Sequence, residues 1–158
     1  MPFVPDRKTI PYCHFQPIRS TFAESGIDKN RVVMIRALPS RADCIKCLKL
    51  ADIYLDSYPY SSGCSIAEPL LLGLPVVART GQTERSRLAA AVLQELQLPE
   101  LVASSEKSYV EISAALGNNP EMRQIYRDRI QQKMTLNPRF LDSRAYSDRI
   151  GKLFNRNS

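Results

Sequence analysis

Residues 51–79 read ADIYLDSYPYSSGCSIAEPLLLGLPVVAR, and their order decides the fold. Ile53-Tyr54-Leu55 and Val76-Val77-Ala78 are short β-branched or apolar runs of the kind that form buried strands. Between them, the stretch from about Cys64 to Leu72 is apolar enough for a helix. Gly73 follows it, in the place where a helix ends on a residue with positive φ. Asp56 to Gly63, rich in Ser, Tyr and Pro, reads as the loop joining strand to helix. Two strands joined through a helix form a βαβ unit, in which the strands run parallel.

The same alternation extends to both sides. Downstream come a long helix over about Glu84–Leu96, a short strand Leu101-Val102-Ala103, and helices over 106–117, 120–135 and 143–154. Upstream, Pro17 to Ser25 reads as a helix stopped by Gly26, and Asp28-Lys29-Asn30 as a turn. Val32-Val33-Met34-Ile35 reads as the first buried strand. Ser40 followed three residues later by Asp43 resembles a capping arrangement ahead of a helix over Arg41–Leu50. Residues 1–16 read as an irregular segment and 17–158 as one domain. The fold class expected is α/β, a Rossmann-like parallel sheet followed by C-terminal helices. Ligands of such sheets bind outside the carboxyl ends of the strands. That rule singles out Ala37–Arg41, Ser57–Ser65 and Arg79–Thr83.

Composition sets the outer limits. The 158 residues are 44% apolar and 24% charged, as in ordinary soluble domains. No run approaches about eighteen consecutive apolar residues, so no membrane span is expected. The first residues lack the apolar core of a secretory signal, and the cytoplasm is the compartment expected. The formal charge is +6; Arg123–Arg156 holds nine Lys/Arg against three Asp, which is the whole excess. A basic helical tail suits nucleic acid, an anionic surface or an acidic partner, but a solvated, charge-biased helix face is the simpler reading. The tail also lacks interleaved aromatic residues for base stacking, which disfavours nucleic acid. Cys44 and Cys47 have the spacing of zinc and redox motifs, and Cys13-His14 would complete a four-ligand set. A pair three residues apart inside a helix, with no Gly nearby, instead reads as two packed thiols, and no metal is expected.

The turn Ser61-Ser62-Gly63-Cys64-Ser65 carries the most chemistry. Gly63 permits positive φ or a close backbone approach. The first N–H groups of the helix that follows have no partner inside it, and its dipole is positive there, so a diphosphate would be stabilised. Ser65 adds a hydroxyl. Glu68, one turn further on, has a carboxylate able to accept both hydroxyls of a ribose; favourable charge near a helix N-terminus is its plainer reading.

The runs Ala51–Tyr60 and Gly73–Val77, with Thr80-Gly81 and Ser86-Arg87 behind them, resemble the O-GlcNAc transferase/SPINDLY family. Leu98–Ala103, Tyr109, Leu116-Gly117 and Asn137–Asp142 continue the likeness, which covers roughly 18–154. The resemblance implies the C-terminal half of a GT-B glycosyltransferase, which holds a UDP-sugar without metal and transfers the sugar, often N-acetylglucosamine, to Ser or Thr of a protein acceptor. It places Gly63, Cys64 and Ser65 at the diphosphate, with Ser62 next to them in the nucleotide-sugar site, Glu68 at the ribose, Leu38 and Arg41 in the loop flanking the uracil, and Gly81 at the glycine of the next strand's loop. The sequence departs from the family pattern at several of these places. Gly63 replaces a His, Cys64 and Ser65 replace two Thr, and Asp43-Cys44 stands where a Glu-His pair is expected, with a one-residue slip.

The resemblance also puts the catalytic half-site, and a Lys that steadies the leaving diphosphate, in segments that precede these residues. Transfer by these residues alone is expected to be slow or absent, because leaving-group stabilisation is an electrostatic effect of several kcal/mol. A separate chain supplying the N-terminal Rossmann half is one way to complete the enzyme. A non-catalytic nucleotide-binding or protein-interaction module is the second reading. By family position the strands here are the third to the sixth, so Val32–Ile35 is expected either to pair abnormally with Ile53–Leu55 or to leave a gap.

Overall fold

The computed structural model describes residues 16–35 and 38–155. Residues 1–15, which the sequence reading expects to be irregular and which include Cys13 and His14, lie outside the described residues, as does Ala37. The chain divides between Lys46 and Cys47 into two compact units.

In the first unit, α1 (Gln16–Glu24) ends on Gly26 at φ 74°, whose N–H donates to the Ala23 carbonyl at 3.0 Å. That is the positive-φ stop foreseen in the sequence. A 3-10 turn, Lys29–Arg31, follows. Val32–Ile35 is not a strand, which corrects the expectation of a first buried strand there. Val33 is 81% and Ile35 51% exposed. A β-branched run becomes a strand only when a neighbouring backbone accepts its N–H groups, and among the described residues no ladder holds this run. Helix α2 (Arg41–Leu48) starts as its sequence foretold. Asp43 N–H donates to Ser40 Oγ at 3.2 Å, and Ser40 Oγ donates to Asp43 Oδ2 at 2.8 Å. These contacts hold the Asp43 carboxyl below the ordinary range: the Ser40 hydroxyl first, then the Lys46 ammonium. Cys44 and Cys47 are half-buried free thiols on this helix.

The second unit contains the sheet. Strand β1 (Tyr54–Leu55) leads through a loop and a 3-10 turn, Gly63–Ile66, into α3 (Ala67–Leu71), then β2 (Val76–Arg79). Helix α4 (Leu88–Glu95) leads to β3 (Val102–Ala103), and α5 (Glu106–Asn118), α6 (Pro120–Thr135) and α7 (Ser143–Asn155) complete the chain. The three strands are parallel in the order β1-β2-β3, with Tyr54 opposite Val76 and Ala78 opposite Val102. Helices α4 and α5 pack on β2 and β3, and α6 packs on α3 and α5.

Local signals explain the helix boundaries. Ser105 and Ser108 form a reciprocal capping box at the start of α5, and Asn119 Oδ1 accepts the Met122 N–H at 2.9 Å, with Pro120 opening α6. Gly73 ends α3 at φ 70°, and a Cβ there would lie 2.7 Å from Gln131 Cγ. The core is continuous and apolar: Ile66, Leu70, Val76, Val77, Leu93, Leu101, Leu116 and Ile130 are all buried. Among the described residues, no helix is long and apolar enough to cross a membrane.

Candidate functional site

Parallel strands end along one edge, and there the chain spends its polar residues. Asp56, the residue after β1, is 3% exposed. Its N–H still belongs to the sheet, donating to the Val77 carbonyl at 2.9 Å. Its carboxylate turns back onto its own loop. Ser61 Oγ donates to Oδ2 at 2.8 Å, while Ser62 N–H and Ser62 Oγ donate to Oδ1 at 2.9 and 2.6 Å. Ser61 Oγ also accepts the Ala89 N–H at 2.9 Å, and Ser61 N–H donates to the Arg85 carbonyl at 2.9 Å. The Tyr109 hydroxyl donates to the Asp56 carbonyl at 2.8 Å. Burial, and then the nearby charges of Asp56 and Tyr54, push the Tyr109 phenol above its ordinary range. One buried carboxylate thus ties β1 to the turn 61–63, and through Ser61 to the start of α4. A charged acceptor taking three hydrogen bonds holds a loop more firmly than neutral ones do.

The turn so held carries most of the sequence-derived candidates. Gly63 has φ 56°, a conformation that favours glycine, and a Cβ there would meet only Leu88 Cδ1 at 3.9 Å. The need at Gly63 is therefore conformational rather than steric. Cys64 and Ser65 are exposed at the head of the helical segment. The Ser65 hydroxyl is already engaged, donating to the Ser62 carbonyl at 2.6 Å. Glu68 sits half-buried at the second position of α3. A mainly apolar cavity of about 310 Å³ opens beside the turn, lined by Cys64, Ala67, Leu88, Val92, Phe140 and Leu141 among others.

Gly81, in the loop after β2, belongs to the same edge. A Cβ there would lie 2.7 Å from Ser86 Cβ and 3.0 Å from Tyr58 Cε2. Ser86 is buried and accepts the Thr83 N–H at 3.1 Å in a capping box that starts the next helical turn. Arg79, the last residue of β2, lays its guanidinium on the Tyr58 ring, 4.0 Å from the centroid, and approaches Glu106 Oε2 at 3.6 Å. Ser62, Gly63, Cys64, Ser65 and Glu68 thus form one continuous turn and helix start, and Gly81 borders the loop that leads into it. Leu38 and Arg41 belong to the first unit: Leu38 is half-buried ahead of α2, and Arg41 is its exposed first residue.

A model of glycosyl transferase family 41 matches residues 9–150. The chain belongs to glycosyl transferase family 41. Its relatives in the family include a rice protein named as a probable UDP-N-acetylglucosamine–peptide N-acetylglucosaminyltransferase SPINDLY. That protein is 29% identical over 123 residues, which are 78% of this chain and 13% of the relative. A Caenorhabditis elegans UDP-N-acetylglucosamine–peptide N-acetylglucosaminyltransferase is 28% identical over 151 residues, 92% of this chain and again 13% of the relative. The chain thus spans about an eighth of the length of these family 41 relatives. Among solved structures, a mutant O-GlcNAc transferase from Thermobaculum terrenum superposes with a TM-score of 0.79 at 21% identity, over 92% of this chain and 28% of that one. That likeness shows the fold: the family 41 chain described here has part of a GT-B glycosyltransferase architecture.

Asp56 is a site residue that sequence pattern alone does not single out. Its signal was present: an acid directly after a strand, five and six residues ahead of two serines. A carboxylate in a polar loop reads as solvated until the loop is seen to fold over it.

Proposed function

We propose that this chain is the nucleotide-sugar-binding part of a protein O-glycosyltransferase and is catalytically incomplete by itself. The donor is a UDP-sugar. Its diphosphate lies on the backbone N–H groups of Gly63 and Cys64, beside Ser65, whose own N–H is held by the Ser62 carbonyl at 3.2 Å, and its ribose hydroxyls bond to Glu68. Ser62 and Gly81 shape the walls, and no metal takes part. The acceptor is a protein side-chain hydroxyl.

The observation that carries this reading is the Asp56-braced turn at the carboxyl end of β1, in a family 41 chain. A rigid turn that presents N–H groups without rearrangement binds an oxyanion at low entropic cost. The replacement of a His by Gly63 removes one side-chain donor, while the backbone donors survive. Ser65 turning its hydroxyl back to Ser62 supports a grip made mainly of backbone. The catalytic base and the leaving-group cation would come from the other half of the enzyme, in the same protein or on a separate chain.

The test is calorimetric titration of the full chain with UDP, followed by a transfer assay with and without a supplied N-terminal Rossmann half. UDP binding, with transfer only when the other half is present, is the expected result. UDP binding with no transfer even then would favour the second reading, a non-catalytic nucleotide-binding module, which the changes at Gly63, Cys64 and Ser65 support. Absence of UDP binding would overturn both.

A further inference from the structure

Arg79 is the residue of the carboxyl edge that the donor reading leaves unused. It ends β2, the middle strand of the three, so it stands where ligands of parallel sheets are held. Its side chain is three-quarters buried, and its Nε is buried without a hydrogen-bond partner. The face of the guanidinium rests on Tyr58, which fixes its plane and leaves its N–H donors in that plane. Among the described residues the nearest carboxylate oxygen, Glu106 Oε2, is 3.6 Å from Nη1, outside hydrogen-bond range, on a side chain 85% exposed. Asp56, the other acid near this stack in sequence, is committed to Ser61 and Ser62. A guanidinium cannot release its proton, and a buried N–H without an acceptor is costly to leave unmade.

We propose that Arg79 is an oxyanion-binding residue, whose Nε–H and an Nη–H form a fork for two oxygens of a phosphate or carboxylate group laid along this edge. Glu106 is displaced into solvent as the anion arrives. The fork geometry matches both anions, and the Tyr58 stack sets its direction in advance. The inference rests on the donor reading only in placing a ligand at the carboxyl edge. Two sources carry the required chemistry: the diphosphate of the donor, or an acidic residue beside the acceptor hydroxyl in a peptide.

The experiment follows the Arg79 Nε–Hε NMR correlation of the full chain during titration with UDP and, separately, with a short peptide carrying a Ser flanked by Glu. A saturable shift with UDP assigns the diphosphate, and one with the peptide assigns the acceptor. For the ligand that responds, Arg79→Lys and Arg79→Gln lower affinity about tenfold or more, and Glu106→Gln raises it. Arg79→Lys keeps the charge and loses the fork, so it separates the contact from long-range attraction. The wild-type titration decides the matter even where a variant fails to fold. The inference is overturned if neither ligand moves the Arg79 correlation, or if Arg79→Lys binds as wild type does. A UDP response at residues 62–68 with Arg79 silent to both ligands would overturn it and leave the donor reading intact, whereas no UDP response at any residue would remove the donor reading as well.

Discussion

Replacing Asp56 with Ala removes the acceptor that closes the loop after β1. Three donors are then stranded: Ser61 Oγ, Ser62 N–H and Ser62 Oγ, at 2.8, 2.9 and 2.6 Å from the carboxylate. A hydrogen bond to a charged group contributes about 1.5–3 kcal/mol. The three bonds do not add, because they share one acceptor. The Ser61 oxygen also keeps the Ala89 N–H, and Ser62, only half-buried, can turn to water. The expected loss for Asp56→Ala is therefore about 3 kcal/mol, near the lower end for breaking a buried charged network. Asp56→Asn keeps one oxygen for the two Ser62 donors and sets an amide N–H₂ against Ser61, so about 1–2 kcal/mol is expected. The chain contains no Trp, so urea unfolding is best followed by far-UV circular dichroism. An Asp56→Ala loss below about 1 kcal/mol, no more than a typical point mutant, would refute the bracing role. So would a loss for Asn equal to that for Ala.

Gly81→Ala forces a Cβ to within 2.7 Å of Ser86 Cβ and 3.0 Å of Tyr58 Cε2, and is expected to destabilise the chain by about 1–3 kcal/mol, read as a lowered urea midpoint. Leu93→Ala empties a fully buried site between α4 and the sheet, with an expected loss of about 2–5 kcal/mol in the same assay. Tyr109 should titrate above the ordinary phenol value of about 10, as followed by tyrosinate absorbance in wild type and Tyr109→Phe. Because its folded value is the raised one, its stabilisation is complete below the unfolded value and fades as pH rises through the folded value. Wild type should therefore lose stability in strong alkali more steeply than Tyr109→Phe.

Local chemistry made most of this molecule legible in its sequence. Helices α5 and α6 fall within a residue of expectation because Ser105, Asn119 and Pro120 are signals read by the helix itself. β1, β2 and β3 were placed because each is an apolar run bounded by helices on both sides. Val32–Ile35 has equal β propensity and forms no strand, because a ladder depends on a distant backbone that propensity does not describe. In the site, the positive φ of Gly63 could be read from its place between loop and helix. The Asp56 brace and the Arg79–Tyr58 stack could not, because each joins side chains brought together only by the closure of the loop.

The proposed donor pocket at the head of α3 is tested most directly by the affinity of the full chain for UDP before and after Glu68→Ala. Wild type should bind UDP, and the variant should lose about 1.5–3 kcal/mol of UDP affinity, the loss of a charge-assisted contact to the ribose. Equal affinity in the two proteins would contradict the assignment of Glu68 to the ribose, and no affinity in either would contradict the pocket.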